Sequence, residues 1–283
     1  MSKSNSFQFK IGHFEALAIR DSISPMAIPS LFSDLSATIL QQLFTRHNFK
    51  LADVFEVNCL LVRTNQNLIL IDTGWGAGWD ANSGKLIRIL QRKGIRRSEI
   101  DTVILSHAHP DHIGGNTGAG QKPVFPNARY VIYRPEWEFW HSKPDLEKLD
   151  DAKKRNMLAF VKKNLFPIQD RLEFVDGDKE IRPGIKLIKT PGHTPGHISL
   201  VISSGSASLI YVADTFHNPL QLLSPVQCVS LDLSPEQAIA SRKQIINRAA
   251  ANKILVFACH FPFPGLGYFV PEEEVWSWSP VNS

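Results

Sequence analysis

The sequence predicts a mixed α/β fold in which helices cover β-sheets in layers. Two observations favour it: short aliphatic or β-branched runs recur along the chain, and helical patterns lie between them. Each run ends in a polar residue before a loop rich in Gly or Pro, which is typical of a buried strand. The runs are Leu68–Asp72, Val103–His107, Leu187–Thr190, Leu209–Asp214 and Ile254–His260.

Three segments have the pattern of helices. Residues 83–93 form one that closes at Gly94, and residues 144–165 carry spaced apolar positions among charges. Ser234-Pro-Glu-Gln237 has the form of a capping box with proline at the first helical position. It predicts a helix that runs to about Asn252.

No low-complexity linker divides the chain, so we expect one domain over residues 1–283. The stretch 22–48 is less regular, with a proline-bounded loop and then a helix predicted near Leu35–His47. Residues 1–50 are therefore expected to include an N-terminal addition to the core.

The composition is that of an ordinary globular protein, with 43% hydrophobic and 20% charged residues. The net charge of +4 is too small to indicate a polyanionic partner. Local basic stretches, at Arg88–Arg97 and Lys153–Arg155, fall in predicted helices and are interpreted as solvated faces. We therefore expect no binding to nucleic acid.

The three cysteines are odd in number and far apart, which does not suggest a disulfide framework and favours a cytoplasmic protein. The first ten residues are polar, and no apolar run approaches the roughly 18–20 residues needed to span a bilayer. A soluble protein without a membrane partner is expected.

The sharpest feature is Ser106-His107-Ala-His109-Pro-Asp111-His112, directly after a predicted strand. Alternation along an extended chain lets His107 and His109 point the same way, while the turn at Pro110 re-aims Asp111 and His112. Imidazole and carboxylate are ligands that zinc accepts. A polar surface loop is the alternative, but clustering at a strand end favours a metal site.

Further candidate ligands follow at other predicted strand ends. His193 lies between two Pro-Gly turns, and Asp214 and His260 each end an apolar run, where an unpaired polar group would be costly. His197 is interpreted as a structural histidine and Cys259 as a buried, inert thiol.

Together, the His-x-His-x-Asp-His signature, the Pro-Gly-His motif and the strand-end Asp and His resemble the metallo-β-lactamase superfamily. The resemblance implies an αββα sandwich of two mixed sheets with helices outside. It also implies two divalent ions: one held by His107, His109 and His193, one held by Asp111, His112 and His260, with Asp214 bridging both. Asp72 would orient a ligand histidine. Zinc is expected, although such ligands also accept iron, manganese or cobalt.

Several shorter stretches resemble the branch that contains methyl parathion hydrolase and the N-acyl homoserine lactonases. They are Lys10-Ile-Gly-His-Phe-Glu-Ala16, the extra segment before Val57-Asn58, Asp214-Thr-Phe-His217 and His260-Phe-Pro-Phe-Pro-Gly-Leu-Gly267. The resemblance implies that a hydroxide bridging the two ions cleaves a lactone or another carboxylic or phosphoric ester, with Asp111 accepting or returning a proton. The expected partner is a small-molecule substrate.

The substrate pocket is expected to involve Phe216, His217 and Phe261, which follow predicted ligands, together with the aromatic segment Trp75–Trp79. The aromatic content and the N-terminal addition are compatible with a homodimer. Three alternatives stay open on the sequence: a thioesterase of glyoxalase II type, an iron-dependent sulfur dioxygenase, and a non-catalytic metal-binding protein of the same fold.

Overall fold

A computed structural model describes residues 4–25, 31, 32, 38, 45, 54–77, 79–142, 152–273 and 275–281. Two seven-stranded sheets form its centre. The first contains β1 (Ser6–Ile11), β2 (Phe14–Pro25), β3 (Val54–Arg63), β4 (Leu68–Ile71), β5 (Thr102–Leu105), β6 (Arg129–Tyr133) and β7 (Leu172–Val175). The second contains β8 (Glu180–Arg182), β9 (Ile185–Lys189), β10 (Ile198–Ser204), β11 (Ala207–Tyr211), β12 (Leu255–Phe257), β13 (Leu266–Glu272) and β14 (Val275–Pro280).

The strands of each sheet are ordered as they occur in the sequence. β1 to β4 pair antiparallel, β4 to β7 pair parallel, and β11 and β12 form the parallel pair of the second sheet. The helices along the described chain are α1 (Leu86–Arg92), α2 (Pro110–Ile113), α3 (Arg134–His141), α4 (Ala152–Leu165), α5 (Leu220–Leu223) and α6 (Pro235–Ala251).

Alternation along the central strands explains why they appear as unbroken apolar runs. In β4, Leu68 and Leu70 pack toward α1 and α4, whereas Ile69 and Ile71 pack between the two sheets. Both faces of such a strand are buried, so every position is apolar. A third cluster joins the outer face of the second sheet to α6. These layers form the αββα sandwich, which confirms the expected fold class.

The carboxyl ends of the parallel strands place the polar strand-end residues at one edge of the sandwich. β5 ends just before His107, and β11 and β12 end just before the turns that carry Asp214 and His260. His193 comes from the loop between β9 and β10. The topology therefore brings distant segments together without long connections.

Some expected boundaries differ from the structure. α1 begins at Leu86 rather than residue 83, because residues 80–83 form a turn closed by hydrogen bonds between Asp80 and Ser83. α6 begins after Ser234 as expected, but that side chain makes no capping hydrogen bond. The Ser234 N–H instead donates to the Gly192 carbonyl at 2.8 Å, which ties the helix to the His193 loop.

Part of the expected N-terminal addition is core structure. Residues 6–25 form β1 and β2, and β2 pairs with β3 over most of its length. The helix expected near Leu35–His47 and the first residues of the 144–165 segment lie almost entirely outside the described residues. Within the described part of the chain, no helix is both long and apolar enough to span a bilayer.

Candidate metal centre

The loop after β5 is held in a conformation that turns its polar side chains toward the sheet edge. His109 is extended, with φ −72° and ψ 157°, and Pro110 begins the short helix α2. The helix packs closely on the loop after β4, since a Cβ on Gly114 would lie 2.1 Å from the Trp75 carbonyl oxygen. A side chain at position 114 would therefore push the two loops apart.

Asp214 lies at the centre of the cluster, and its two oxygens face different histidines. Oδ2 lies 3.1 Å from His193 Nε2 and 3.7 Å from His107 Nε2. Oδ1 lies 2.9 Å from His112 Nε2 and 3.0 Å from His260 Nε2. One carboxylate thus borders two separate groups of nitrogen ligands.

The first group contains His107, His109, His193 and Asp214, whose ligand atoms all lie within 4.8 Å of one another. His109 Nδ1 and His193 Nε2 are 2.8 Å apart. All three histidines are buried. Burial holds the pKa of His107 and of His109 well below the usual range, so both imidazoles keep a lone pair for a cation.

The second group contains His112, Asp214, Cys259 and His260, again within 4.8 Å. Asp111 Oδ2 lies 3.6 Å from the Nε2 atoms of both His112 and His260. Burial raises the pKa of the Cys259 thiol well above its usual value, and its Sγ donates to Asp214 Oδ1 at 3.6 Å. Cys259 is therefore a neutral thiol beside the shared carboxylate.

These residues fit two divalent cations. His107 Nε2 and His112 Nε2 are buried without a hydrogen-bond partner, even though His112 Nε2 is only 2.9 Å from Asp214 Oδ1. Burial opposes ionisation of Asp214, but the surrounding histidines, His112 first, hold its pKa well below the usual range. Imidazole nitrogens and a shared carboxylate that converge from separate loops are the donor set of a two-metal site.

Asp72 contacts His112, one of the candidate ligands, on the side of the ring away from Asp214. Its Oδ2 is 2.8 Å from His112 Nδ1 and accepts hydrogen bonds from Ser106 Oγ and Tyr211 Oη at 2.7 Å. Its Oδ1 accepts the Ser106 N–H at 2.8 Å. A carboxylate on Nδ1 leaves Nε2 free to face a metal.

Three outer residues were not visible in the sequence. Asp232 Oδ1 lies 3.0 Å from His193 Nδ1, and the Glu56 carbonyl oxygen lies 2.9 Å from His260 Nδ1. Glu136 is fully buried and contacts the backbone on both histidine loops. Each belongs to a different element from its partner, so no local pattern marks it.

His197 is a structural residue, in agreement with the sequence interpretation. Its Nδ1 lies 2.9 Å from the Thr190 carbonyl oxygen, and its Nε2 accepts the Asp214 N–H at 3.0 Å. Burial lowers the pKa of His197 to about 3, so the ring stays neutral. The ring positions the backbone of Asp214.

An apolar cavity of about 310 Å³ opens on the metal-binding groups. Asp111, Asp214, His109 and His217 line its floor, Pro110 and the exposed Asn156 also border it, and aromatic and aliphatic side chains line the rest. Those apolar residues are Leu31, Phe55, Trp75, Trp79, Met157, Phe160 and Leu231. Trp75 stacks on Trp79 with 4.2 Å between ring centroids, and Trp79 meets the edge of Phe160.

Of the three expected pocket residues, only His217 lines this cavity. Phe216 and Phe261 are fully buried in the core cluster against α6, so their assignment to the pocket is wrong. Phe216 packs on Phe269 and Phe261 on Trp278. Phe216 is extended, with φ −137° and ψ 126°, so it and His217 point in opposite directions.

Comparison with known proteins identifies a family and several relatives. The family model of the metallo-beta-lactamase superfamily matches residues 52–260. N-acyl homoserine lactonase AiiA of Bacillus thuringiensis subsp. kurstaki is 28% identical over 222 residues, which cover 71% of this chain and 80% of that protein.

Two solved structures superpose over nearly the whole chain. AidC, described as a dizinc quorum-quenching lactonase in complex with a product, has a TM-score of 0.90 and 32% identity, covering 99% of this chain and 98% of AidC. AbOPH, described as a hydrolase in the beta lactamase superfamily, has a TM-score of 0.91 and 27% identity, covering 100% of this chain and 99% of AbOPH.

The family match covers more than half of the chain and contains every residue of the two metal-binding groups. The resemblance identified from the His-x-His-x-Asp-His signature is thereby confirmed. This chain belongs to the metallo-β-lactamase superfamily and is a metal-dependent hydrolase.

Proposed function

We propose that this chain hydrolyses the ester bond of a lactone that carries an apolar side chain, such as an N-acyl homoserine lactone. The observation that carries the proposal is the apolar cavity, whose floor is formed by Asp111, Asp214, His109 and His217. A small ring bearing an acyl chain matches that division into a polar floor and apolar walls. The similarity to AiiA and AidC supports the same substrate class.

Two bound divalent ions would polarise a carbonyl oxygen and lower the pKa of a nearby water molecule. We assign the first ion to His107, His109 and His193, the second to Asp111, His112 and His260, and the shared position to Asp214. Zinc is proposed because it accepts neutral imidazole and carboxylate together. A cytoplasmic location agrees with the three free cysteines of the described chain. The homodimer stays a prediction.

We assign Asp111 the role of accepting and returning a proton. Its side chain is 11% exposed and borders the cavity. Opening a lactone breaks the ring C–O bond after addition of a water oxygen to the carbonyl carbon. The proton lost by water is then needed by the departing alkoxide, and Asp111 can carry it between the two.

We assign His217 a role in contacting the substrate. It is fully buried beside the cavity, its Nε2 lies 3.1 Å from Asp214 Oδ2, and its Nδ1 has no hydrogen-bond partner among the described residues. Burial lowers the pKa of His217, so the ring is neutral and carries one N–H. Its backbone N–H donates to Gln221 Oε1 at 2.8 Å, which fixes His217 just before α5. We propose that Nδ1, the ring nitrogen left without a partner, contacts a polar group of the substrate.

A substrate panel on the metal-loaded protein tests the proposal. We compare kcat/KM for N-acyl homoserine lactones, an aryl ester, a thioester and an aryl phosphotriester. Ring opening of the lactones is monitored by the release of protons and by NMR. We expect the lactones to exceed the thioester by at least about tenfold, because the site is shaped for one ring on one apolar chain. A thioester preference, or no turnover with two ions bound, contradicts the proposal.

A further inference from the structure

Glu136, the third residue of α3, is a buried carboxylate with four hydrogen-bond donors around it. Oε1 accepts the Ala108 N–H at 2.9 Å and the Trp140 Nε1–H at 2.8 Å. Oε2 accepts the Thr194 hydroxyl at 2.6 Å and the Gly196 N–H at 3.1 Å. The side chain therefore joins one helix to two separate loops.

Those two loops carry the histidines of the first metal-binding group. Ala108 lies between His107 and His109, and Thr194 follows His193 directly. Outside Glu136, the backbones of the loops meet through the hydrogen bond from Ile198 N–H to the Ser106 carbonyl at 3.0 Å. Glu136 thus supplies a second connection, close to the ligands themselves.

The close packing at Gly196 is independent evidence that α3 and the His193 loop are fitted to each other. A Cβ on Gly196 would lie 2.1 Å from the Glu136 nitrogen and 2.4 Å from its Cα. The first turn of α3 and the His193 loop therefore touch backbone to backbone. A side chain at position 196 would separate them.

Stability alone does not explain a charged group at this position. All four donors are neutral and donate into the carboxyl, which is the arrangement that suits the ionised form. Burial raises the pKa of Glu136, and the hydrogen bonds, that of Thr194 first, oppose the rise. An apolar residue would avoid the cost of burying the charge but could not fix both loops.

We propose that Glu136 is a positioning residue that holds His107, His109 and His193 at metal-binding separation by fixing the Ala108 and Thr194–Gly196 backbones. The inference rests on the proposed two-metal centre. It concerns the first group only, because His112 and His260 are oriented by Asp72 and by the Glu56 carbonyl. Loss of Glu136 should therefore weaken the binding of the first ion more than the binding of the second.

The test is metal binding by the metal-free protein carrying Glu136→Gln. Glutamine keeps the shape but points an NH₂ group at donors that need an acceptor. We expect the affinity for the first ion to fall by about 10- to 100-fold, as for other outer partners of metal ligands, with the second ion nearly unchanged. Cobalt titration with its visible absorption spectrum measures both, and equilibrium dialysis gives the stoichiometry.

Asp101→Asn is the matched control. Asp101 precedes β5, at the end of that strand away from the metal loop, and accepts hydrogen bonds from Leu68 N–H, Asn67 Nδ2 and Thr102 Oγ1. The Asp101→Asn variant should have a lower thermal stability, while both cobalt affinities and the absorption spectrum stay unchanged. The proposal would be overturned if Glu136→Gln bound cobalt as tightly as the wild type does. It would also be overturned if the variant lost the same affinity for both ions.

Thr194→Val keeps the test decisive if Glu136→Gln does not fold. It removes only the shortest of the four hydrogen bonds and preserves the size of the side chain. We expect a smaller loss in the same direction, confined to the first ion, and unchanged binding of that ion overturns the proposal. Wild-type protein that binds no ions would instead overturn the proposed two-metal function.

Discussion

The two metal-binding groups share Asp214 but are built differently around it. The first has three histidines and no carboxylate of its own, and its outer partners include two buried carboxylates, Glu136 and Asp232. The second has two histidines with Asp111 beside them, and its outer partners are Asp72 and a backbone carbonyl. With Asp111 assigned to it, the second group carries more negative charge among its candidate ligands.

This difference predicts different sensitivities. A site with its own carboxylate attracts a cation directly, whereas a site whose own ligands are only imidazoles depends on geometry that outer residues maintain. We therefore expect the first ion to be the more easily lost when distant residues are changed. The predictions below test that asymmetry, beginning with the residue that both groups share.

The largest effect is expected from Asp214→Ala. Because each Asp214 oxygen faces one group, both ions should be lost together. Activity should fall by more than about 100-fold, which exceeds the loss that is typical when a hydrogen-bond partner of a metal ligand is removed. Metal content and turnover are measured on the same preparation, with the exposed Asp170→Ala as control. Retention of one tightly bound ion would show that the groups do not depend on a common carboxylate.

A comparison of His109→Ala with His260→Ala separates the two groups. Each variant should lose one ion, and His109→Ala should retain the ion held by the more negative second group. Both should lose most of their activity, because the proposed chemistry needs two cations. Cobalt titration gives the number of sites left in each variant. Loss of both ions from His109→Ala would remove the distinction between the groups.

Protons should compete with the first ion in a known direction. Burial alone would lower the pKa of His193, but attraction to Asp214 raises it to about 9 in the absence of a cation. A cation must therefore displace a proton below about pH 9, and apparent affinity should rise by about tenfold per pH unit between about 6.5 and 9. The stabilisation of the metal-free fold by this proton is lost over the same range. Calorimetric titration with metal at several pH values measures the apparent affinity. An affinity for the first ion that does not change with pH contradicts the prediction.

The smallest effect is expected at the cavity mouth, from Trp79→Ala. Trp79 is half exposed and stacks on Trp75, away from the metal-binding atoms. KM for a long-chain lactone should rise by about three- to tenfold, equivalent to roughly 1 kcal/mol of apolar contact, with kcat unchanged. Tyr268→Ala, at an exposed aromatic outside the cavity, is the control. An unchanged KM would remove Trp79 from the substrate site.

The residues that the sequence revealed are those whose position is fixed locally. His107, His109, Asp111 and His112 lie together at a strand end, and Pro-Gly turns mark the loop of His193. Their grouping follows from the strand order, because parallel strands end at the same edge.

The residues that the sequence missed depend on tertiary contacts. Glu136 reaches Ala108 across 28 positions and Thr194 across 58, and nothing in its own helix signals either partner. Phe216 and Phe261 were misplaced because proximity to a ligand in sequence does not fix the direction of a side chain. The weak signal available was a glutamate four residues before Trp140, in a helix otherwise rich in aromatic residues.

The most direct test of the central claim is anomalous X-ray scattering from a crystal of the zinc-loaded protein. We predict two zinc peaks, one beside each oxygen of Asp214: one bordered by His107, His109 and His193, the other by Asp111, His112 and His260. A single peak at full metal loading, or two peaks that do not share Asp214, would contradict the account.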